Sequence, residues 1–427
     1  MLLTSTELFS PLVLPSGGTL HNRIAKAAME EGMAGSSQLP AERLISLYRR
    51  WAAGGAGLLI TGNVMVHAEA LTGPRGVVLD EHAPLEPFSR WAQAGKADGA
   101  AIWMQISHPG RQVQAAMPGV VWGPSAVAVD LGRHSKRFGR PVAMTEEQIR
   151  ATVQRFAATA QRAEQAGFDG VEVHAAHGYL LSQFLSPLVN ERSDAWGGSL
   201  ENRARLLLDV VRAIRTVVSS SFAVAVKLNS ADFQRGGFDV DDAARVIAML
   251  APLDVDLVEL SGGSYESPAM AGRPTDGRTA AREAYFLELA RDLAKTSPLP
   301  LMLTGGITRR ETAATVLASG VALVGMGTAI AATPDLPNRW RNGLQATVAL
   351  KPVTWSDKTL ASTASMALVR HQMRRITRGK VPTGRTHPVH ALVCDQRAQR
   401  RALRRYREWL QKRPHLDHHL PTAETQR

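Results

Sequence analysis

The most regular feature of the chain is a series of short apolar runs separated by longer amphipathic segments. Each run is rich in Val, Ile, Leu and Ala and is bounded by glycine or polar residues, which is typical of a buried strand in a parallel sheet. The pattern therefore predicts eight strands. They are IAKAAM from Ile24, GLLIT from Gly57, AIWMQIS from Ala101, VEVH from Val171, AVAVKL from Ala223, LVEL from Leu257, LMLT from Leu301 and ALVGM from Ala322.

The segments between the runs read as helices with defined ends. Thr145 and Gln148 have the spacing of a capping box, which predicts a helix from there to Gln165 that Gly167 ends. Alternating strands and helices predict a parallel sheet, and eight units predict closure into an α/β fold of the (β/α)8 TIM barrel class over residues 1–350. An open doubly wound sheet is the alternative, but no GxGxxG follows the first strand.

The chain preceding the first strand has the composition of a hairpin. Residues 9–20, FSPLVLPSGGTL, contain two short apolar runs joined around Pro15 and the glycine pair at 17 and 18. We expect this N-terminal hairpin to close the lower mouth of the barrel. Two long segments, residues 107–144 and 261–282, follow the third and sixth strands, where long loops usually form lids or binding walls.

Charge is distributed unevenly along the 427 residues. The net charge is +12, and residues 353–427 contain 16 Lys and Arg against 5 Asp and Glu, so +11 belongs to this segment. The basicity that would otherwise suggest a nucleic acid or an anionic membrane is therefore confined to a tail. The first 352 residues are close to neutral.

Residues 351–427 are expected to form a basic helical C-terminal extension. Two arginine-rich segments, 366–380 and 396–413, place apolar residues at helical spacing. We expect these stripes to pack on the barrel or on a second subunit of a homo-oligomer, in preference to a membrane surface or a nucleic acid. The apolar residues are Met366, Leu368 and Val369 in the first segment, and Leu403, Tyr406, Trp409 and Leu410 in the second.

The remaining bulk features indicate a cytoplasmic protein. Cys394 is the single cysteine, which excludes an internal disulfide and a CxxC redox pair. The N-terminal residues lack the charged and apolar regions of a signal peptide, and no uninterrupted apolar stretch is long enough to span a membrane. A soluble cytoplasmic location is the expectation.

Two histidines and a tyrosine follow the fourth predicted strand. His174 ends that strand, and His177 and Tyr179 lie in the next turn. In a TIM barrel the carboxyl ends of the strands converge on the mouth where chemistry occurs, so these side chains are the candidate catalytic residues. The HxxH spacing also raises a metal site, but no third ligand, HExxH or CxxC accompanies it, and we predict no metal.

Glycines after the last two strands predict a phosphate site. Gly305 and Gly306 follow the seventh strand, and Gly327 and Thr328 follow the eighth. Glycines allow the backbone to approach an anion, and the N-terminus of the following helix offers N–H groups to it.

Polar residues at two other strand ends are suited to binding a heteroaromatic ring. Gln105 comes from the third strand and Lys227 from the fifth. An amide can bind a heteroaromatic edge and an ammonium group can stabilise negative charge, which together suit flavin mononucleotide (FMN) better than a sugar phosphate.

Five separated motifs resemble one family. They are HPGRQ from His108, HAAHGYLLSQFLSP from His174, NERSDAWGGSLENRAR from Asn190, VKLNSADFQRGGF from Val226 and LTGGI from Leu303. Their order over residues 8–341 resembles the old yellow enzymes, which are FMN-dependent ene-reductases. The resemblance implies a (β/α)8 barrel that holds FMN noncovalently, is reduced by NADPH or NADH, and is reoxidised by a small-molecule activated alkene.

The resemblance also implies roles for individual residues. His174 and His177 match the pair that holds the substrate carbonyl oxygen, and Tyr179 matches the tyrosine that protonates the adjacent carbon. Gln105 matches the glutamine at the pyrimidine edge of the flavin. Lys227 matches the basic residue beside flavin N1, where positive charge stabilises the reduced ring.

Some positions depart from the family pattern. Ala28, Met29 and Glu30 stand after the first strand, where many relatives carry Thr or Cys near flavin N5 and O4. An ionised Glu30 that faces the flavin would disfavour the reduced anion, whereas one that faces away would leave the usual hydrogen bond missing. Thr328 replaces the usual arginine near the phosphate, and Asn63 is expected beneath the flavin.

Two other functions are compatible with parts of the pattern. A non-redox aldolase or isomerase could use Lys227 as a Schiff-base lysine on a phosphorylated substrate. A non-catalytic binding protein could use the basic tail, but this leaves the five motifs at the barrel mouth without a role.

Overall fold

A computed structural model describes residues 7–269, 286–344, 346, 350 and 353–413, and its centre is a closed barrel of parallel strands. Each strand pairs with its neighbour in sequence, and the eighth pairs in parallel with the first. All eight strands predicted from the sequence are confirmed. They are β1 (Ile24–Lys26), β2 (Leu58–Ile60), β3 (Ala101–Ser107), β4 (Gly170–Ala175), β5 (Ala223–Asn229), β6 (Leu257–Ser261), β7 (Leu301–Thr304) and β8 (Leu323–Met326).

Helices surround the barrel and continue beyond it. The capping box predicted at Thr145 is present, because its side chain accepts from the backbone N–H of Gln148 while the Gln148 side chain accepts from the N–H of Thr145. The helices of the described residues are α1 (Glu42–Ala52), α2 (Glu86–Gly95), α3 (Glu146–Gln165), α4 (Leu180–Leu185), α5 (Leu200–Arg215), α6 (Val240–Leu250), α7 (Leu287–Thr296), α8 (Arg310–Ala318), α9 (Thr328–Ala332), α10 (Leu336–Arg341), α11 (Lys358–Ile376) and α12 (Pro388–Gln411).

The strands divide their side chains between the helices and the barrel interior. Along β4, Val171 and Val173 join the large core beneath the helices, whereas the intervening positions point inward. Strand register then aligns the inward polar residues, because Glu172 lies opposite Gln105 and His174 lies opposite Lys227. An almost fully buried sheet thus delivers polar groups to one end of the barrel.

The predicted N-terminal hairpin is confirmed. Strands Leu12–Val13 and Thr19–Leu20 pair antiparallel. Leu14 and Leu20 pack in a cluster with inward residues from the amino ends of the barrel strands, including Leu58. The hairpin therefore closes the mouth opposite the candidate site.

Further short strands lie in the loops above the barrel. Val64–Met65 pairs in parallel with Val77–Val78 and with β3, while Val121–Gly123 pairs in parallel with Pro141–Ala143 inside the long loop after β3. Of the long loop after β6, residues 262–269 are described and residues 270–282 lie outside the described residues.

The basic tail folds back on the barrel. Tyr406 of α12 is fully buried, its hydroxyl donates to the carbonyl oxygen of Ala68 at 2.8 Å, and neighbouring apolar residues of α12 pack in the same cluster. The predicted stripe of α11 is only partly correct: Leu368 is buried, but Met366 is exposed because the helix turns its alanines inward. Among the described helices, none is long and apolar enough to cross a bilayer.

Candidate active site

The three predicted catalytic side chains meet at the carboxyl end of β4. The rings of His174 and His177 lie 5.1 Å apart at 84°, and the ring of Tyr179 lies 4.8 Å from that of His174. His174 and Tyr179 are buried and His177 is half-buried. The structure therefore assembles the predicted group into one wall of the barrel mouth.

His174 is neutral and its tautomer is defined by the backbone. Burial, then the charges of His177 and Lys227, lower the pKa of His174 well below its ordinary value. Its Nδ1 accepts a hydrogen bond from the N–H of Ala176 at 3.2 Å, so the ring proton resides on Nε2. His174 can accordingly donate one hydrogen bond into the mouth without carrying a charge.

His177 is held in a strained backbone conformation. Its φ is +61°, a left-handed value that costs a non-glycine residue about 1 kcal/mol or more. The conformation is fixed from both sides, because its N–H donates to Asn229 Oδ1 at 3.0 Å and its carbonyl oxygen accepts from Gln112 Nε2 at 2.9 Å. Its ring Nε2 lies 2.7 Å from Ser261 Oγ. Burial and the charge of Lys227 lower its pKa well below the ordinary value.

Tyr179 has a phenolic partner that sequence analysis did not identify. Its hydroxyl lies 3.1 Å from the hydroxyl of Tyr265, which follows β6. Burial, then Tyr265 and the charge of Glu30, raise the pKa of Tyr179 well above its ordinary value, and burial raises the pKa of Tyr265 to about 12. Both phenols are therefore protonated near neutral pH and can serve as proton donors.

A layer of polar side chains lies inside the barrel beneath this wall. Lys227 Nζ lies 2.5 Å from Glu259 Oε1, and Gln105 Nε2 donates to Glu172 Oε2 at 2.6 Å. Burial and the nearby charge of Glu259 raise the pKa of Glu172 well above its ordinary value. Burial opposes ionisation of Glu259, but the ammonium group of Lys227 prevails and lowers its pKa. The positive charge expected at Lys227 is thus balanced by a buried carboxylate.

The glycine loops after β7 and β8 provide a close-fitting backbone. Gly306 has a φ of +67°, and Gly327 precedes Thr328, the first residue of α9. A Cβ atom added at Gly325 would lie 2.0 Å from Thr304 Oγ1, and one at Gly327 would lie 3.0 Å from Met29 Sδ. Glycine is needed at these two positions because a side chain would collide with Thr304 and Met29. The left-handed turn at Gly306 and the N–H groups at the start of α9 are the features that fit the phosphate end of FMN.

The residues after β1 and β2 lie on the same side of the barrel. Met29 packs against Gly327, Ala28 packs beside the inner apolar cluster, and Asn63 is buried after β2. The side chain of Glu30 instead contacts a neighbouring loop and the tail. Its Oε1 accepts from Thr72 Oγ1 at 3.1 Å and its Oε2 forms an ion pair with Arg370 of α11 at 3.1 Å.

Comparison with known proteins identifies the family. A profile of the NADH:flavin oxidoreductase / NADH oxidase family matches residues 7–347. The chain belongs to this family, the old yellow enzyme family. The predicted resemblance is confirmed, and with it FMN as the cofactor and NADH or NADPH as the reductant.

Individual members of the old yellow enzyme family resemble the chain over most of its length. An NADH-dependent flavin oxidoreductase of Hypocrea jecorina is 37% identical over 349 residues, which are 77% of this chain and 87% of the relative. The structure of the Zymomonas mobilis old yellow enzyme homologue superposes with a TM-score of 0.69 at 28% identity, covering 81% of this chain and 95% of that one.

A larger protein of the same fold is also similar. The structure of a 2-naphthoyl-CoA reductase in complex with 2-naphthoyl-CoA superposes with a TM-score of 0.74 at 27% identity. The match covers 81% of this chain and 54% of the reductase, so the chain spans about half the length of that protein. Family membership makes this chain an NAD(P)H-dependent flavin oxidoreductase and decides against the aldolase or isomerase alternative.

Several polar residues of the site were missed by sequence analysis. Glu172 and Glu259 occupy inward positions of VEVH and LVEL, and a glutamate within each apolar run was a usable signal. Ser261, Tyr265 and Arg370 carry no local signal, because they meet His177, Tyr179 and Glu30 only through long-range contacts.

The buried His108, at the start of the HPGRQ motif, is expected to make the stability of the fold depend on pH. Burial, then the charge of Arg155, lower its pKa to about 3, whereas an unfolded histidine titrates near pH 6.5. The unfolded chain therefore binds more protons below that pH, and stability falls as the pH is lowered toward 3. We expect this residue to destabilise the wild type by about 1.4 kcal/mol per pH unit over most of this window.

Urea unfolding of the wild type and of His108→Gln between pH 7 and pH 4 measures this contribution. Glutamine can accept the hydrogen bond that the N–H of Gly110 donates to His108 Nδ1 at 3.1 Å. The stability of the variant relative to the wild type is expected to rise as the pH falls. A difference that stays constant across this range would contradict the assignment.

Proposed function

We propose that the chain is an ene-reductase, which uses FMN reduced by NADH or NADPH to saturate the carbon–carbon double bond of an α,β-unsaturated carbonyl compound. The observation that carries the proposal is the convergence of His174, His177 and Tyr179 on one wall of the mouth. This wall offers neutral hydrogen-bond donors for a carbonyl oxygen and a protonated phenol for a carbon atom.

FMN is proposed to lie between the glycine loops and the polar layer. Gly305, Gly306, Gly327 and Thr328 would face its phosphate, and Gln105 and Lys227 would face its ring, with Ala28, Met29, Glu30 and Asn63 on the neighbouring loops. The left-handed turn at Gly306 and the start of α9 after Gly327 support the phosphate position, since backbone N–H groups there can bind an anion. Bound FMN supplies the hydride that reaches the β-carbon.

The side chains of the wall have complementary tasks in this reaction. Hydride arrival at the β-carbon moves negative charge onto the carbonyl oxygen, and preorganised donors stabilise that charge. His174 and His177 are proposed to donate to this oxygen. Burial lowers the pKa of both, and a neutral imidazole still has one N–H group to donate. Tyr179 is proposed to donate its proton to the α-carbon, and the product is the saturated carbonyl compound.

Anaerobic stopped-flow spectroscopy of the holoenzyme tests the proposal. NADH or NADPH should bleach the flavin absorption, and 2-cyclohexenone should restore it with formation of cyclohexanone. Reduction by nicotinamide without reoxidation by this enone or by a panel of larger enones would reject ene-reduction and leave the flavin oxidoreductase assignment in place.

The two histidines give a specific prediction within this scheme. His174→Ala and His177→Ala are each expected to slow reoxidation by an enone about 10²–10³-fold, the usual effect of removing one oxyanion donor. Reduction by nicotinamide should change much less. Ser261→Ala is the matched control, because it removes the partner of His177 Nε2 and retains the imidazole. Equal reoxidation rates in both histidine variants and the wild type would remove them from the carbonyl site.

A further inference from the structure

The tail helix α11 places one arginine at the active-site mouth. Arg370 Nη2 pairs with Glu30 Oε2 at 3.1 Å, and Arg370 Nε donates to the carbonyl oxygen of Glu30 at 3.4 Å. The side chain of Arg370 is only 15% exposed. The guanidinium group therefore contacts both the carboxylate and the backbone carbonyl oxygen of Glu30, which follows β1.

The other side of this guanidinium group is anchored by α12. Arg370 Nη1 donates to Asp395 Oδ2 at 3.1 Å, and the same carboxylate also binds Arg75 at 2.9 Å and Arg374 at 2.6 Å. Burial opposes ionisation of Asp395, but the arginines prevail and lower its pKa. Asp395 thus ties α11, α12 and a barrel loop into one charged network.

Glu30 and Arg370 act in opposite directions on the phenols of the catalytic wall. The charge of Glu30 raises the pKa of both Tyr179 and Tyr265, after burial, whereas the charge of Arg370 lowers both. Burial alone would lower the pKa of Arg370, but Glu30 and Asp395 together raise it. The two charges therefore lie close enough to the wall to influence it, and they offset one another there.

We propose that Arg370 is a positioning residue of the active site, which holds Glu30 in place and balances its charge so that the mouth is electrically neutral only when the tail is docked. The basic tail is then a component of the flavin site, and the unusual glutamate after β1 is tolerated because the tail supplies its counter-ion. A neutral mouth also favours substrates that carry no charge at this end.

The first readout is the two-electron midpoint potential of bound FMN, measured by spectroelectrochemistry. Arg370→Gln leaves the negative charge of Glu30 unbalanced and should lower the potential, while Glu30→Gln leaves Arg370 unbalanced and should raise it. We expect each shift to correspond to roughly a tenfold change in the reduction equilibrium, or about 30 mV. The double variant should return to the wild-type value, because both charges are absent.

The second readout rests on the proposed ene-reductase function and uses substrate charge. The ratio of kcat/KM for 4-phenyl-3-buten-2-one with a para-carboxylate to that for the unsubstituted ketone should fall about tenfold in Arg370→Gln and rise about tenfold in Glu30→Gln. Failure of every variant to reduce either ketone would reject ene-reduction, and the potentials would still decide the role of Arg370.

Two controls separate charge balance from tail docking. Arg374→Gln breaks an equivalent contact to Asp395 without touching Glu30 and should lower thermal stability while leaving both readouts unchanged. Arg370→Lys retains the charge and should stay near the wild type in both. Opposite shifts in the two single variants that cancel in the double variant support the proposal in either readout. Unchanged values, or shifts of the same sign, in both readouts overturn it.

Discussion

Lys227→Met is expected to lower the free energy of unfolding by about 3–5 kcal/mol, the usual cost of leaving one partner of a buried ion pair alone. The Lys227 and Glu259 side chains are 3% and 0% exposed, so water cannot compensate for the missing ammonium group. The deficit should shrink as the pH falls, because the pKa of Glu259 is raised in the variant and protonation removes the isolated charge.

Urea denaturation of the variant with and without excess FMN measures this effect. The double variant Lys227→Met/Glu259→Gln is the matched control, since it removes both charges and retains an uncharged polar side chain at residue 259. Most of the lost stability should return in the double variant. A single-variant deficit below about 1 kcal/mol would show that the pair behaves like an exposed one.

The second large effect is expected for Tyr179→Phe in the oxidative half-reaction. Reoxidation of the flavin by an enone should slow about 10²–10⁴-fold, the range attributed to a general acid. Reduction by NADH or NADPH should be nearly unchanged, because the phenol is proposed to act only when the alkene is protonated. Single-turnover kinetics under anaerobic conditions measure the two half-reactions separately.

Tyr265→Phe is the natural control for the tyrosine prediction. It removes the hydroxyl that lies 3.1 Å from that of Tyr179 but leaves the proposed acid in place. We expect a much smaller slowing of reoxidation and a changed pH dependence, because the environment of Tyr179 is altered. Reoxidation of Tyr179→Phe at the wild-type rate would assign the proton to another donor.

The barrel could be predicted from the sequence because its determinants are local. The apolar run from Ala101 to Ser107 is a strand over its whole length, and the capping box at Thr145 and Gln148 fixes the start of α3 from residues three positions apart. His174 was recognisable as a site residue because it lies at the carboxyl end of a strand, and the carboxyl ends of all barrel strands meet at one mouth.

The electrostatics of the site could not be predicted in the same way. Lys227 was expected to supply positive charge beside the flavin, but its buried partner Glu259 was not foreseen. Glu259 comes from the next strand, so the pairing depends on sheet register. Met366 was placed in a buried stripe, but the face that α11 turns inward depends on where the tail docks. Glu30 left two orientations open, and its contact with Arg370 joins residues 340 positions apart.

The docking of the tail also determines when, during synthesis of the chain, the active site acquires its full set of charges. A ribosome delivers all eight strands before α11 and α12, so the barrel has the material to close while Arg370 is still inside the exit tunnel or untranslated. At that stage Glu30 lies at the mouth without its counter-ion. The helices α11 and α12 emerge after the barrel strands and complete the charge balance of a site whose other parts were assembled earlier. A nascent chain stalled before α11 should hold a barrel with an unbalanced carboxylate at Glu30.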